Sequence, residues 1–252
     1  MVALGGWAGS GSAVLQRWAE WRDACGQSVL TVAETALFHP KSLLWPVPLA
    51  ERRLLIGAGA LARDIVELAG AELFCAVYVD PQFAAGSFFG LPVITDWAAA
   101  CAQATHYVSG FLDLPRRRAM QLAAAAAGLL PASALVSASA TVSKAAKLAP
   151  GCVIATHVNV GAMTTIGRDV LLMHNAVIGH DSRLGNNSIV LPGAWVGGHV
   201  TVGEDVLLGA NSVTAPGLSI GSRCVLAPGA ACLKSLPADS TLIGNPGRVV
   251  RR

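Results

Sequence analysis

An aliphatic side chain recurs at every sixth position between Val136 and Cys232. Fifteen of these seventeen positions are valine, isoleucine or leucine, and the position after each is usually small. A helix cannot satisfy a period of six, so the pattern predicts a short strand and a turn in every hexad. Three hexads close one triangular coil, and coils stacked about 4.8 Å apart share parallel strand ladders. The run therefore predicts five to six coils of a parallel β-helix, and the unbroken register argues against chance periodicity.

Composition narrows the class of protein further. The chain has 252 residues, of which 53% are hydrophobic and 13% are charged, with a formal net charge of +3. These values argue against a disordered chain and against a nucleic-acid partner. The longest uncharged stretch, 119–143, is rich in alanine and serine and contains Gly128 and Pro131, so we expect no membrane span. The six cysteines form no CxxC pair and no signal-peptide pattern precedes them, which favours a cytoplasmic protein.

A second pattern precedes the repeats. An apolar strand from Arg53 leads into the sequence GAGALA at 57–62, a helical pattern follows, and a second strand at 75–79 ends at Asp80. This order is Rossmann-like: glycines let the N–H groups at a helix N-terminus meet phosphate, and the acid meets a ribose. A glycine turn that only packs helix on strand is the alternative.

Further elements complete a small α/β region. We expect strands at 92–94 and 106–109 and a helix over 115–127, which is too little chain for a full dinucleotide fold. The predicted fold class is an α/β half-Rossmann domain that binds one nucleotide, followed by a parallel β-helix. Val14 to Ala24 reads as an amphipathic helix within an N-terminal extension of unknown role.

The repeats and the closing sequence GNPGR at 244–248 resemble the hexapeptide-repeat acyltransferases. That resemblance implies a left-handed helix, a homotrimer and an acyl-CoA donor. With the α/β region in front, residues 52–250 resemble the sugar acyltransferases related to bacterial sialic acid O-acetyltransferases and UDP- or GDP-4-amino-sugar N-acetyltransferases. The most specific stretch is 175–185. The predicted domains are 1–51, an extension; 52–133, nucleotide-sugar binding; and 134–252, acyl transfer.

The resemblance assigns roles to residues at one corner of the β-helix. His180 matches the general base and Asp181 the acidic neighbour that supports it. Gly198 lies eighteen residues after His180, one full coil, so we expect its backbone beside the base. In the family the equivalent N–H contacts the thioester carbonyl. A solvated His–Asp pair and an ordinary corner glycine are the alternatives.

Substrate contacts follow from the same resemblance. Donor contacts fall on Ala210 and Pro228, and Arg248, Arg251 and Arg252 either meet CoA phosphates or form a solvated basic tail. Acceptor contacts fall on five residues of the α/β region: Gly59, Ala60, Leu61, Asp80 and Gly110. The predicted function is acyl transfer, with acetyl-CoA as the expected donor, to the nitrogen or oxygen of a nucleotide-linked sugar in surface-glycan synthesis.

Two departures from the family leave the acceptor open. Leu61 and Ile189 stand where many members carry histidines. A non-catalytic scaffold and a carbonic-anhydrase-like zinc protein remain alternatives, because His157, His174, His180 and His199 fall within the repeats. We expect no metal as a cofactor.

Overall fold

The computed structural model describes residues 50–84 and 86–250. The expected helix at 14–24 and the roles suggested for Arg251 and Arg252 lie outside these residues. None of the helices described is long and apolar enough to cross a membrane.

The α/β region is built on a six-stranded sheet. Its strands are β1 Arg53–Ile56, β2 Phe74–Tyr78, β3 Ser87–Phe88, β4 Leu91–Ile94, β5 His106–Ser109 and β6 Leu130–Pro131. Its helices are α1 Ala60–Ala69, α2 Trp97–Gln103 and α3 Leu114–Ala126, with 3₁₀ turns at Ala71–Leu73 and Pro81–Phe83. The strand order is β3-β4-β2-β1-β5-β6, and every pair is parallel except β3 with β4. The predicted strands and helices are present, with bounds shifted by about one residue, and β3, β6 and α2 are additional.

The repeat region forms three flat sheets, which we call faces A, B and C. Face A holds β7 Leu135–Val136, β10 Val153–Ile154, β13 Leu171–Leu172, β16 Ile189–Val190, β19 Leu207–Leu208, β22 Val225–Leu226, β24 Thr241–Ile243 and β25 Arg248–Val250. Face B holds β8 Thr141–Val142, β11 Asn159–Val160, β14 Val177–Ile178, β17 Trp195–Val196, β20 Val213–Thr214 and β23 Ala231–Cys232. Face C holds β9 Lys147–Leu148, β12 Thr165–Ile166, β15 Arg183–Leu184, β18 Thr201–Val202 and β21 Ser219–Ile220.

The second residue of each two-residue strand, from β7 to β23, points into the axis of the β-helix. Ile154 of face A, Ile178 of face B and Leu184 of face C are at most 3% exposed. From β7 to β23, neighbouring strands of a face are eighteen residues apart, as in the pairing of Val153 with Leu171. The stack of aliphatic side chains is the core of this part of the fold, and each buried one contributes about 1.5–3 kcal/mol. This arrangement confirms the predicted strand and turn in each hexad.

The corners between faces adopt a left-handed backbone. Asp181 and His199 both have φ of 57°, and the same conformation recurs at Asp169, Asn187 and Asp205. Asn, Asp and His are among the few residues other than glycine that tolerate this region. The backbone therefore explains why polar residues recur at these corners.

The α/β sheet covers face A. The first residues of its strands point outward, and Leu135, Val153, Leu171 and Ile189 lie in one apolar cluster with Ile65 of α1. All five are at most 2% exposed. The first four strands of face A are therefore covered, and the corner between faces B and C lies on the opposite side of the β-helix.

Candidate active site

His180 lies at the corner between faces B and C, two residues after the inward Ile178. Its Nδ1 is 2.8 Å from Oδ2 of Asp181, and the two side chains are 61% and 43% exposed. A carboxylate only accepts hydrogen bonds, so Nδ1 carries the proton and Nε2 keeps a free lone pair. The structure thus places the predicted base and acid in contact, with the basic nitrogen directed away from the acid.

Gly198 lies directly against the imidazole of His180. A Cβ added at position 198 would be 2.7 Å from Nε2 of that ring, which is closer than real Cβ atoms come. Gly198 itself is buried, and among the described residues no group accepts a hydrogen bond from its N–H. The eighteen-residue step predicted this adjacency, and only glycine leaves room for the ring.

A second histidine joins this corner. Nε2 of His199 is 3.9 Å from Oδ2 of Asp181, and the rings of His180 and His199 are 5.0 Å apart and nearly perpendicular. The backbone N–H of His199 also donates to the carbonyl of His180, at 2.8 Å. The sequence analysis named His199 among the histidines of the repeats but did not place it beside His180 and Asp181. The available signal was its position eighteen residues after Asp181.

A separate cavity of about 530 Å³ lies at the glycine-rich turn of the α/β region. Gly57, with φ of +103°, and Gly59, which is exposed with open space beside its Cα, line it. Gly59 precedes the first turn of α1, and no side chain caps that turn. An uncapped helix N-terminus in a cavity suits an anionic group such as a phosphate.

Asp80 lines the same cavity, and Arg116 of α3 forms an ion pair with it. The Arg116 guanidinium also lies over the rings of Phe83 and Phe111, 5.2 and 4.9 Å from their centroids. Arg116 is 39% exposed. Asp80 thus lies after β2 as predicted, but its carboxylate is paired with Arg116, which the sequence analysis did not identify.

The repeats match known families. Residues 163–198 match the bacterial transferase hexapeptide (six repeats), and residues 199–231 match the hexapeptide repeat of succinyl-transferase. No curated protein sequence matches the chain.

Solved structures match most of the described chain. PerB from Caulobacter crescentus, in complex with CoA and GDP-perosamine, is 25% identical, has a TM-score of 0.73, and the match covers 80% of this chain and 98% of that one. The acetyltransferase domain of PglB from Neisseria gonorrhoeae FA1090 is 25% identical with a TM-score of 0.71, over 79% of this chain and 100% of that domain. WeeI from Acinetobacter baumannii AYE shares the fold at 19% identity and a TM-score of 0.68, over 79% and 99% of the two chains.

The chain resembles the hexapeptide-repeat acyltransferases both in its repeats and in its fold. These matches confirm the predicted fold class, an α/β half-Rossmann region before a left-handed parallel β-helix, and the predicted resemblance to this family. They also confirm that the chain is an acyltransferase.

Three predicted substrate contacts of this acyltransferase differ in their exposure. Ala60 is exposed beside the cavity, whereas Leu61 is 4% exposed and packs in the apolar cluster under face A. Gly110 is buried, and a Cβ there would be 2.9 Å from the Cβ of Ala62. Gly110 therefore lets β5 approach α1, and its predicted contact with substrate, like that of Leu61, stays a prediction.

The predicted donor residues of the acyltransferase lie at another corner. Ala210 and Pro228 are stacked one coil apart between faces A and B, where the N–H of Gly229 donates to the carbonyl of Ala210 at 2.8 Å. Within the part of the chain that is described, they do not share a corner with His180. Arg248 is exposed on β25.

The acyltransferase also contains a buried cation that sequence reasoning missed. Arg117 of α3 is 0% exposed, and burial lowers its pKa to about 10. It donates to the carbonyl oxygens of Ser109, Phe111 and Asp169 and to Oδ1 of Asn187. Burial also raises the pKa of the Asp169 carboxyl. These bonds join the α/β sheet to the corner between faces C and A and fix how the two parts pack.

Proposed function

We propose that the protein transfers an acetyl group from acetyl-CoA to the amine of a nucleotide-linked amino sugar, with His180 as the general base. The observation that carries this proposal is the contact of His180 with both Asp181 and Gly198. Similar structures support the substrate class: PerB is bound to CoA and GDP-perosamine, and the acetyltransferase domain of PglB is bound to acetyl coenzyme A.

The reaction begins at Nε2 of His180. The hydrogen bond to Asp181 keeps the proton on Nδ1, so the lone pair of Nε2 can accept a proton from the attacking amine. Asp181 stabilises the imidazolium that forms. The amine nitrogen bonds to the thioester carbonyl carbon, and the carbonyl oxygen takes the electron pair.

Gly198 acts in the next step. Its N–H, which no described group engages, faces the oxyanion of the tetrahedral intermediate and stabilises the negative charge there. Collapse breaks the carbon–sulfur bond, and the CoA thiolate leaves with the proton held by His180. We propose direct transfer without an acyl-enzyme. The hydroxyl of Ser182 is buried and donates to the carbonyl of Gly197, so it is not placed to attack the thioester.

The acceptor's nucleotide is assigned to the cavity at the glycine-rich turn. The N-terminus of α1 receives the diphosphate beside Gly59 and Ala60, and Arg116 adds a positive charge within reach of the same cavity. Phe83 and Phe89 are exposed at its edge and offer flat apolar surfaces to a base. We propose that residues 52–133 bind the nucleotide sugar and that residues 134–252 carry out acyl transfer.

We propose a homotrimer, which the position of the two sites supports. The α/β sheet lies on face A, whereas His180 lies at the opposite corner. The sugar held at Gly59 of one subunit therefore meets His180 of a neighbour, and Ala210 and Pro228 line the donor groove between subunits. This separation supports the proposed trimer, in a cytoplasmic enzyme of surface-glycan synthesis.

Thiol release from acetyl-CoA tests the function. Purified full-length protein is offered GDP- and UDP-linked 4-amino sugars beside matched 4-hydroxy sugars and free and CMP-linked sialic acid. We expect release with an amino sugar, and the product's mass should rise by one acetyl group. Release with a hydroxyl sugar only would replace N-acetylation by O-acetylation, and absence of CoA binding would overturn acyl transfer as the function.

A further inference from the structure

Asp181 lies between two imidazoles at the corner of faces B and C. Its Oδ2 is 2.8 Å from Nδ1 of His180 and 3.9 Å from Nε2 of His199. Within residues 50–84 and 86–250, these three side chains form the one group of three or more His, Cys, Asp or Glu residues whose donor atoms all lie within 4.8 Å of one another. Two imidazoles and a carboxylate are a common ligand set for transition metals.

The distances suit a small tetrahedral ion. Zinc–nitrogen and zinc–oxygen bonds of about 2.0–2.2 Å place neighbouring ligand atoms about 3.3 Å apart in a tetrahedral site. The two observed separations, 2.8 and 3.9 Å, lie on either side of this value. The side chains of His180, Asp181 and His199 are 61%, 43% and 65% exposed. The two rings therefore have room to rotate toward an ion, and an ion can enter from solvent.

We propose that His180, Asp181 and His199 form a reversible site for a divalent cation of the zinc class, and that its occupancy switches off acyl transfer. Binding stands on this geometry alone, whereas the inhibition rests on the proposed function. Three protein ligands leave a fourth position for water. The nitrogen ligands exclude magnesium, which requires oxygen ligands.

Occupancy removes the base by a defined route. The ion takes the lone pair of Nδ1 in His180 and displaces the hydrogen bond to Asp181. A neutral imidazole has one proton and one free lone pair, so the proton then resides on Nε2. Nε2 is the atom beside Gly198, and it can no longer accept a proton from the acceptor amine.

Metal titration of the full-length protein tests the site without any substrate. Zinc alone is followed by calorimetry, and cobalt(II) alone by the visible absorption bands of a tetrahedral ion. The test variant is His199→Asn, because asparagine occupies equivalent corners at Asn187 and Asn211 with the same left-handed backbone. The matched control is His157→Asn, a change of another exposed corner histidine with φ of 57°.

We expect one zinc per chain in the parent protein and in His157→Asn. In His199→Asn the affinity for zinc should fall by more than about 100-fold, because loss of an outer-shell partner alone costs about 10- to 100-fold. The cobalt bands should disappear. Asp181→Asn gives a second variant with the same expectation. Equal zinc affinity in His199→Asn and the parent, or no binding by a folded parent protein, would overturn the site.

The switch is then read as the ratio of thiol-release rates with and without zinc in each protein. We expect strong inhibition of the parent and of His157→Asn, a smaller effect on His199→Asn, and none from magnesium. Zinc that binds with full occupancy but leaves the rate unchanged would overturn the inhibition. If no acceptor supports thiol release, the binding titrations still decide the site, so failure of the proposed function is distinct from failure of this inference.

Discussion

The ring of His180 occupies the space that a side chain at position 198 would fill. A Cβ on Gly198 would be 2.7 Å from Nε2 and 2.9 Å from Cε1 of that ring. The backbone at Gly198 is not in the left-handed region, so alanine is conformationally allowed there. The ring must therefore turn away when a methyl group is present, and it can do so because it is exposed.

Gly198→Ala should lower kcat by about 10²-fold or more, because the base and the oxyanion N–H lose their geometry together. Steady-state thiol release measures the effect, and thermal unfolding checks that the β-helix is intact. In the double variant with His180→Ala the change at 198 should add little, because residues that act together are not additive. Full additivity would show that Gly198 acts elsewhere.

His180→Ala should lower kcat by about 10²- to 10⁴-fold, the usual cost of losing a general base. Assembly should stay the same, because the side chain is 61% exposed and lies outside the core. His157→Asn, at another corner, is the matched control and should keep the parent rate. Near-parent turnover by His180→Ala would remove this residue from the mechanism.

Arg116→Ala should raise KM for the nucleotide sugar by about 10-fold, a loss of about 1.4 kcal/mol, with a smaller change in kcat. The reason is that Arg116 carries positive charge at the cavity of Gly59 and Asp80. Arg118→Ala, two residues further along α3 and paired with Asp205, is the control. The same KM in Arg116→Ala and the parent would place the nucleotide elsewhere.

Arg117→Met should destabilise the fold by about 3–5 kcal/mol, because the buried Asp169 carboxylate loses its neighbouring cation and Asn187 loses a donor. Urea unfolding at fixed protein concentration measures this loss. Arg118→Met, an exposed arginine of the same helix, should change stability by about 0.5 kcal/mol at most. Similar losses in the two variants would contradict a structural role for Arg117.

Glu51→Gln should reduce the loss of stability that occurs as the pH falls into the acid range. Burial alone would raise the pKa of Glu51, but hydrogen bonds from Ser133 and the charge of Arg53 lower it below its ordinary value of 4.5. A lowered pKa means that the folded state favours the carboxylate, so this stability is present above pH 4.5 and is lost as the pH falls through the folded pKa. Melting temperatures measured between about pH 3 and 7 test the change.

Glu67→Gln, on the exposed side of α1, is the control for this pH series. It should leave the acid limb unchanged. Parallel curves for Glu51→Gln and the parent protein would show that Glu51 does not contribute to acid sensitivity.

The repeat region was predictable because its order is local. One six-residue period fixes the strands, and one eighteen-residue step places Gly198 beside His180. The same step joins Asp181 to His199, so that contact was available from the sequence as well. What the step cannot give is the distance between side chains at a corner, which depends on the rotamers of both rings.

The contacts between the two parts of the fold were not predictable. Arg117 bonds to Asn187, seventy positions away, and this requires the packing angle between α3 and face A. Asp80 is similar: its place after β2 followed from the sequence pattern, but its pairing with Arg116 depends on how α3 lies across the sheet. Leu61 and Ile189 show the same limit, because their burial depends on the layer that covers them.

The left-handed backbone at Asp181 and His199 restricts what any variant of this corner can contain. Glycine, asparagine, aspartate and histidine fit there with least strain, Met163 and Arg223 show that an unbranched side chain can be held in the same conformation, and β-branched residues fit worst. A mutational library over these two positions would therefore yield folded proteins mainly from a few residue types, most of which carry a polar group. The backbone conformation therefore limits which catalytic groups laboratory evolution can introduce at this corner.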